Sequence, residues 1–395
     1  MPSAANRSNQ QSRGLMPIFL RIIGIVVILA VLWDSFETMV LPRRTTRRFR
    51  FARFFYRSIW RLWSLLLKAI PSDRVRAAYR GFFGPLTLLL LLGTWASGLV
   101  VGFSLLYLSS GKGLSTPGGH LGFGEALYMS GTTFFTLGLG DVVPAGTFSK
   151  ALTVIEAGMG FGFLAVLIGH LPSLNQSFSN REVNISLLDA RAGSPPTAFE
   201  ILYRHSHDFG MEALRQLLYD WERWSAELLE SHLSYPVLAY YRSQHDNQSW
   251  LSALTAILDV SALIIAGLKG ACEHQAQLTF AMARHAVVDL ALIFKTPPHT
   301  PEQERLSDED LLRLSVALAA ENVDLLSGEE VNKKLRELRL MYEPYVYALS
   351  RFLDLKLPPW ISDADRRDDW QTSVWDRIMG IQRAEGLLGI KRDHF

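Results

Sequence analysis

Two glycines alternate with larger residues in the hexapeptide formed by residues 136–141, Thr-Leu-Gly-Leu-Gly-Asp. Glycine adopts a positive φ at little steric cost, so Gly138 and Gly140 allow a backbone whose successive carbonyl groups all point to one side. Rings of carbonyl oxygens, supplied by several chains around one axis, are ligands that a dehydrated cation accepts. We therefore expect the carbonyls of residues 136–139, with the Thr136 hydroxyl below them, to form stacked cation sites.

The segments around the hexapeptide are suited to position it. Residues 126–135 predict a short helix whose C-terminal end, the negative end of its dipole, points toward the cation path. Thr132 and Thr133 lie near the end of this helix. Asp141 closes the motif, and a ring of such carboxylates would concentrate cations at the entrance.

The hexapeptide resembles the selectivity filter of potassium channels, and the layout around it resembles the re-entrant pore loop of that superfamily. The resemblance assigns the filter to Thr136, Leu137, Gly138, Leu139, Gly140 and Asp141. It also implies that Thr132 and Thr133 hydrogen-bond behind the filter. It implies a potassium channel subunit with K⁺ as the permeant ion, no cofactor and no enzymatic activity. Because one strand supplies a quarter of each carbonyl ring, it also implies a homotetramer.

The motif departs from the common potassium filter at two positions, where Leu137 replaces valine and Leu139 replaces tyrosine. The second change removes a phenolic hydroxyl, so we expect Leu139 to be held by packing against apolar neighbours such as Phe134. A potassium-selective but less rigid filter is the favoured interpretation. The alternatives are a weakly selective cation channel and a membrane-tethered sensor whose activity lies in the C-terminal helical region.

A second group of residues lies in the apolar segment that follows the filter. Glu156 is its one charged residue, and an intramembrane carboxylate indicates a function by default. We expect Glu156 to support the filter from behind, near Thr133, although a position facing the ion path is the alternative. The three glycines Gly158, Gly160 and Gly162 are suited to a gating hinge or to close helix packing.

The distribution of charge predicts how the chain crosses the membrane. Residues 43–80 carry twelve Lys and Arg residues and one acid, Asp73, so the positive-inside rule places them in the cytoplasm. Residues 81–111 contain no charged residue and are the clearest transmembrane helix, with Tyr107 at the opposite interface. The predicted topology is multi-pass in the cell membrane, with the N-terminus outside and the C-terminal domain cytoplasmic.

The predicted fold class is an all-α membrane protein, with three transmembrane helices, a re-entrant pore helix and filter, and an all-α cytosolic domain. The predicted segments are a disordered tail (1–15), a transmembrane helix (16–41), a basic linker with an interfacial helix (42–80), the pore domain (81–171), a linker (172–195), the helical cytosolic domain (196–357) and a tail with a short helix (358–395).

The basic linker also indicates a partner. Residues 51–70 mix aromatic, leucine and arginine side chains, which suits a helix lying in the headgroup layer of anionic lipids or one packed on the cytosolic domain. Nucleic-acid binding is not expected, because the basic cluster directly follows a membrane span.

The C-terminal half shows helical spacing of Leu, Ile, Ala and Trp throughout. Residues 250–268 are apolar enough for a span, but Asp259 at the centre favours a buried core helix. Asp259, His274, His285 and Asp289 are candidates for a buried polar network. No metal site is predicted.

Overall fold

The computed structural model describes residues 4–41, 51–111, 113–116, 119, 122–206, 210–243, 248–268, 272–301, 304–321, 323–326 and 328–361. The described chain is mostly helical and divides into two compact units, Met1–Asn175 and Gln176–Phe395. Residues 362–395, in which a short C-terminal helix was predicted, lie outside the described residues.

The first unit contains the segments around the hexapeptide. Its helices are α1 (Ala4–Met39), α2 (Phe51–Lys68), α3 (Asp73–Ser109), α4 (Phe123–Phe134) and the first part of α5 (Thr147–Ala192). Two short strands, β1 (Leu114–Ser115) and β2 (Val143–Pro144), pair antiparallel on either side of α4 and the hexapeptide. The strands therefore join the entry and exit of the loop that carries the motif.

Helices α1 and α3 run antiparallel at very close distance. A Cβ placed on Gly24 of α1 would lie 2.8 Å from the carbonyl oxygen of Gly102 of α3, and one on Gly98 would lie 2.8 Å from Val31. Small residues allow backbones to approach in this way, which is the usual basis of helix association in membranes. Asp34 of α1 adds a polar contact, accepting a hydrogen bond of 2.9 Å from Nε1 of Trp95.

Three segments predicted as a tail or a linker are wholly or partly helical. Helix α1 begins at Ala4, inside the stretch predicted to be a disordered tail, and alanine, arginine and glutamine there favour a helix. Helix α3 begins at Asp73, inside the predicted basic linker, so the outer helix of the loop starts eight residues earlier than expected.

The third difference is the larger one: the predicted linker over residues 172–195 is helical as far as Ala192. Its Pro, Ser and Asn content indicated a break. Instead, Gln176 hydrogen-bonds Asn180 one turn on, at 2.7 Å, and the polar side chains cover an exposed face of the helix. Ile185 and Leu188 on the opposite face are buried in the second unit, and this packing outweighs the weak local propensity.

The second unit is a helical domain built around α8. It contains the end of α5, α6 (Ala198–Arg204), α7 (Gly210–Ser234), a 3₁₀ turn (Pro236–Tyr240), α8 (Trp250–Gly267), α9 (Glu273–Phe294), α10 (Asp308–Ala320), α11 (Glu329–Leu340) and α12 (Glu343–Leu353). Every residue of α8 is buried, as the prediction of a core helix requires.

Five described helices, α1, α3, α5, α8 and α9, are long and apolar enough to cross a membrane. The five helices differ in how much of each is buried within the protein. All residues of α8 are buried within the protein, whereas only 11% and 17% of the residues in the most apolar stretches of α1 and α5 are buried. Exposed apolar surface of this extent requires a non-aqueous surrounding or another protein chain. The poorly buried apolar stretches of α1 and α5 therefore suit a membrane environment, whereas α8 belongs to the protein core.

Asp259, at the centre of α8, is the acceptor of a buried polar network. Its carboxylate forms an ion pair of 2.6 Å with Arg305 and accepts a 2.5 Å hydrogen bond from the Tyr342 hydroxyl. The predicted histidine partners are absent from these contacts; His285 instead lies 3.3 Å from Asp289, one turn along α9. The network joins α8 to the segment before α10 and to the start of α12.

We expect Asp259→Ala to destabilise the helical domain strongly, because it removes the nearer of two carboxylates that contact the buried Arg305 guanidinium and leaves the Tyr342 hydroxyl without its acceptor. Loss of one partner of a buried pair costs about 3–5 kcal/mol. The thermal unfolding midpoint of the full-length protein in detergent measures the effect. Asp308→Ala is the matched control, because Asp308 pairs with Arg336 on the surface. Equal midpoints for the two variants would contradict the expectation.

Candidate functional site

Helix α4 leads into the hexapeptide and ends immediately before it. The Glu125 carboxylate accepts a 3.0 Å hydrogen bond from the Gly122 backbone N–H, which fixes the start of the helix at Phe123, three residues before the predicted start. At the other end, the Phe135 N–H still bonds to the Gly131 carbonyl at 3.0 Å. The helix therefore delivers the chain to Thr136 with its C-terminal dipole end at the hexapeptide.

The hexapeptide backbone alternates in the sign of φ. Positive values occur at Thr136 (58°), Gly138 (55°) and Gly140 (84°), so every second residue is in the left-handed region. Gly138 and Gly140 were expected to adopt it; Thr136, a β-branched residue for which this region is unfavourable, was not. A Cβ on either glycine would meet no atom within 4 Å, so glycine is required there by backbone conformation and not by space.

Hydrogen bonds from the main chain tie the first half of the hexapeptide to the end of α4. The carbonyl oxygen of Thr132 accepts the N–H groups of Leu137 at 2.7 Å and Gly138 at 3.3 Å, and the Thr133 carbonyl accepts the N–H of Thr136 at 3.0 Å. Thr132 contacts the hexapeptide through its carbonyl, while its hydroxyl donates to Met129 within α4. The carbonyl groups at the end of α4 thus hold the first half of the hexapeptide, with its positive φ angles, in place.

The second half of the hexapeptide is held at Asp141. The Tyr128 hydroxyl on α4 hydrogen-bonds the Asp141 carboxylate, which also accepts the N–H of Val142 at 3.1 Å. Leu139 is 65% exposed in the single chain and Leu137 is 63% exposed. Most of the Leu139 side chain is therefore uncovered within one chain, so the expected packing against apolar neighbours such as Phe134 does not hold it there.

Gly160 is the point at which α5 meets α4. A Cβ built on Gly160 would lie 2.0 Å from the Phe134 carbonyl oxygen and 2.9 Å from its carbon. The Phe134 ring packs 5.9 Å from the ring of Phe163, between centroids, beside this contact. Gly158 and Gly162 make no such approach. Of the three predicted hinge glycines, Gly160 is thus the one whose missing side chain permits close packing against the helix that carries the hexapeptide.

Glu156 is fully buried behind α4. One carboxylate oxygen accepts a 2.8 Å hydrogen bond from the Tyr107 hydroxyl of α3, and the other accepts one from the Ser130 hydroxyl of α4. Thr133 lies beside the Tyr107 hydroxyl. The carboxylate therefore lies among α3, α4 and α5, and its direct partners are Tyr107 and Ser130. The expected support of the hexapeptide by Glu156 stays a prediction.

Comparison with known proteins identifies this region. Residues 89–175, from α3 to α5, match the family model described as "Ion channel". This stretch of the chain is similar to the proteins of that family. The chain is also similar to the "Uncharacterized membrane protein YdjJ" of Bacillus subtilis (strain 168), with 29% identity over 187 residues. The aligned region covers 46% of this chain and 52% of YdjJ, so the chain spans about half the length of the curated relative that it matches. No solved structure matches the chain.

Three polar residues within residues 89–175 were missed by reasoning from the sequence. Tyr107 was assigned to the membrane interface, yet it is fully buried and its hydroxyl contacts Glu156 and Thr153. Ser130 and Tyr128 were read only as part of an apolar helix. The available signal was weak: each is a single hydroxyl in an apolar segment, and the partners lie on different helices whose registers a sequence does not specify.

Proposed function

We propose that the protein is a potassium-selective channel that conducts K⁺ passively through a homotetrameric pore. The observation that carries the proposal is the alternating backbone of the hexapeptide, with positive φ at Thr136, Gly138 and Gly140. A strand with this alternation directs consecutive carbonyl groups to one side, and such groups replace the hydration shell of K⁺ in channel filters. The ion channel family match over residues 89–175 supports the same function.

Tetramer formation follows from the ligand requirement of the ion. One chain supplies carbonyl oxygens on one side of the ion only, so further chains must supply the others. The surfaces that such chains would cover are open in the single chain: Leu137 and Leu139 of the hexapeptide and Val154 and Phe161 of α5 are all exposed. Four copies around the filter axis would bury these side chains and close each carbonyl ring.

For the membrane arrangement we propose three spans, α1, α3 and α5, with α4 as the re-entrant pore helix. The antiparallel packing of α1 on α3 supports opposite directions of crossing. Helix α2 buries Tyr56 and Trp60 and exposes Leu62, Leu65 and Phe54. A basic helix with such an apolar face suits the cytoplasmic headgroup layer and anionic lipids. The helical domain then lies in the cytoplasm.

The proposal is tested by reversal potentials of the purified protein in a planar bilayer, with K⁺ on one side and Na⁺ on the other. We expect a reversal potential close to the potassium equilibrium potential and a current carried also by Rb⁺ and Tl⁺. A reversal potential near zero would instead support a weakly selective cation channel, which the missing filter hydroxyl at Leu139 favours. Absence of any current, with the protein inserted and folded, would overturn both.

A further inference from the structure

Four side chains from three helices meet at one buried point behind the filter. The Glu156 carboxylate of α5 contacts the hydroxyls of Tyr107 (α3) and Ser130 (α4), and the Tyr107 hydroxyl also lies 3.0 Å from that of Thr153. Glu156, Tyr107 and Ser130 all have no exposed surface. The cluster is the polar connection through which α3, α4 and α5 contact one another in an otherwise apolar region.

The hydroxyl protons in the cluster can be assigned by counting. Thr153 donates to the Ser149 carbonyl at 2.8 Å, so the Tyr107 proton has two acceptors, the Thr153 hydroxyl oxygen at 3.0 Å and the Glu156 carboxylate at 2.8 Å. The carboxylate is the stronger acceptor and the nearer one, so Tyr107 donates to Glu156. Ser130 has one proton and two acceptors within reach, the Glu156 carboxylate and the Val100 carbonyl at 2.8 Å. With Glu156 ionised, Ser130 and Tyr107 each donate to one of its oxygens. If the side chain at position 156 instead donated a hydrogen bond to the Ser130 hydroxyl oxygen, the Ser130 hydroxyl could donate its own proton to the Val100 carbonyl.

We propose that Glu156 is a positioning residue for ion selectivity, acting through Ser130 on the pore helix and anchored to the outer helix by Tyr107. The inference rests on the proposed potassium channel function. The filter lacks a tyrosine hydroxyl of its own, and its first half is held by the carbonyls of Thr132 and Thr133 on α4. The position of α4 therefore sets the position of the filter, and the Glu156 cluster fixes α4 against α3 and α5.

The geometry makes side-chain length at position 156 more important than charge. Glutamine has the same length: its amide oxygen can accept from Tyr107, while its amide nitrogen donates to Ser130, which then donates to Val100. Aspartate keeps the charge but is one methylene shorter, so it cannot reach Tyr107 and Ser130 together. A buried donor or acceptor left without its partner carries the full desolvation penalty.

The test compares the K⁺ to Na⁺ permeability ratio of the full-length protein with the Glu156→Gln, Glu156→Asp and Tyr107→Phe variants. We expect Glu156→Gln to stay within about threefold of the unmodified protein, and Glu156→Asp and Tyr107→Phe to lower the ratio about tenfold each. The Tyr107→Phe, Glu156→Asp double variant should lose less than the product of the two single losses, because both remove the same contact. Glu125→Gln, which keeps the start of α4, is the matched control with an unchanged ratio.

Each result has a defined meaning. Retained selectivity in Glu156→Asp with loss in Glu156→Gln would show that charge matters, and would overturn the inference. Unchanged ratios in all three variants of a selective protein would overturn the inference alone and leave the proposed function standing. An unmodified protein without preference for K⁺ would overturn both. The elution volume and the thermal unfolding midpoint of every variant identify misfolding. Tyr107→Phe removes only a hydroxyl group and is therefore the variant with the smallest risk of misfolding.

Discussion

Replacing Gly138 with alanine is expected to abolish rubidium flux through the protein in liposomes while leaving the fold intact. Gly138 has a φ of 55°, a conformation that costs an L-residue about 1–2 kcal/mol. Four subunits in one filter would multiply the cost to roughly 4–8 kcal/mol. Reorienting the peptide unit avoids the strain, but it turns a carbonyl ring away from the ion path. The ring is then lost as a cation site, and conduction with it.

Gly124→Ala is the matched control for this prediction. Gly124 lies in α4, only a few turns from the filter, and a Cβ there would meet nothing within 4 Å. Alanine in a helix is favoured over glycine by about 1 kcal/mol, so this variant should fold at least as well. Flux is measured with radioactive Rb⁺ or with Tl⁺ quenching of a trapped dye. Undiminished flux through Gly138→Ala would argue strongly against the assignment of residues 136–141 as the filter.

The sequence predicted the backbone pattern of the hexapeptide but not the strain at its first residue. The alternating glycines predicted a positive φ at Gly138 and Gly140, because glycine adopts a positive φ at little steric cost wherever it lies in the chain. Thr136 also has a positive φ, but for a different reason. Its N–H donates to the Thr133 carbonyl, and the N–H groups of the next two residues, Leu137 and Gly138, donate to the Thr132 carbonyl. Such strain is maintained by surrounding contacts, and these depend on where α4 ends.

The same distinction applies to the remaining structure. The apolar segments could be predicted from hydropathy, and the burial of helix α8 could be predicted from the aspartate at its centre. Both features can be read directly from the sequence. The extension of α5 to Ala192 and the partners of Glu156 cannot, because both depend on packing between segments far apart in the chain. Residue spacing within one helix carries no information about the register of the helix it faces, so Tyr107 and Ser130 gave no prior signal as partners of Glu156.

Gly160→Ala is expected to have the second largest effect, through the contact between α5 and α4. The added Cβ would lie 2.0 Å from the Phe134 carbonyl oxygen, well inside van der Waals contact, and the obstructing atom belongs to the backbone. The helices must separate, which moves the end of α4 on which the filter depends. Overpacking of this kind costs about 1–3 kcal/mol in each subunit. We expect a lower thermal midpoint and strongly reduced Rb⁺ flux.

Gly169→Ala, on the same helix and with nothing within 4 Å of its Cβ, should leave both midpoint and flux unchanged. Equal behaviour of the Gly160 and Gly169 variants would contradict the packing argument. Gly158→Ala and Gly162→Ala then separate packing from bending, because their Cβ atoms meet nothing in the described chain. If α5 must bend at these glycines to open the pore, both variants lose flux at an unchanged midpoint. If the requirement is contact alone, the loss is confined to Gly160, where the pore helix and α5 touch.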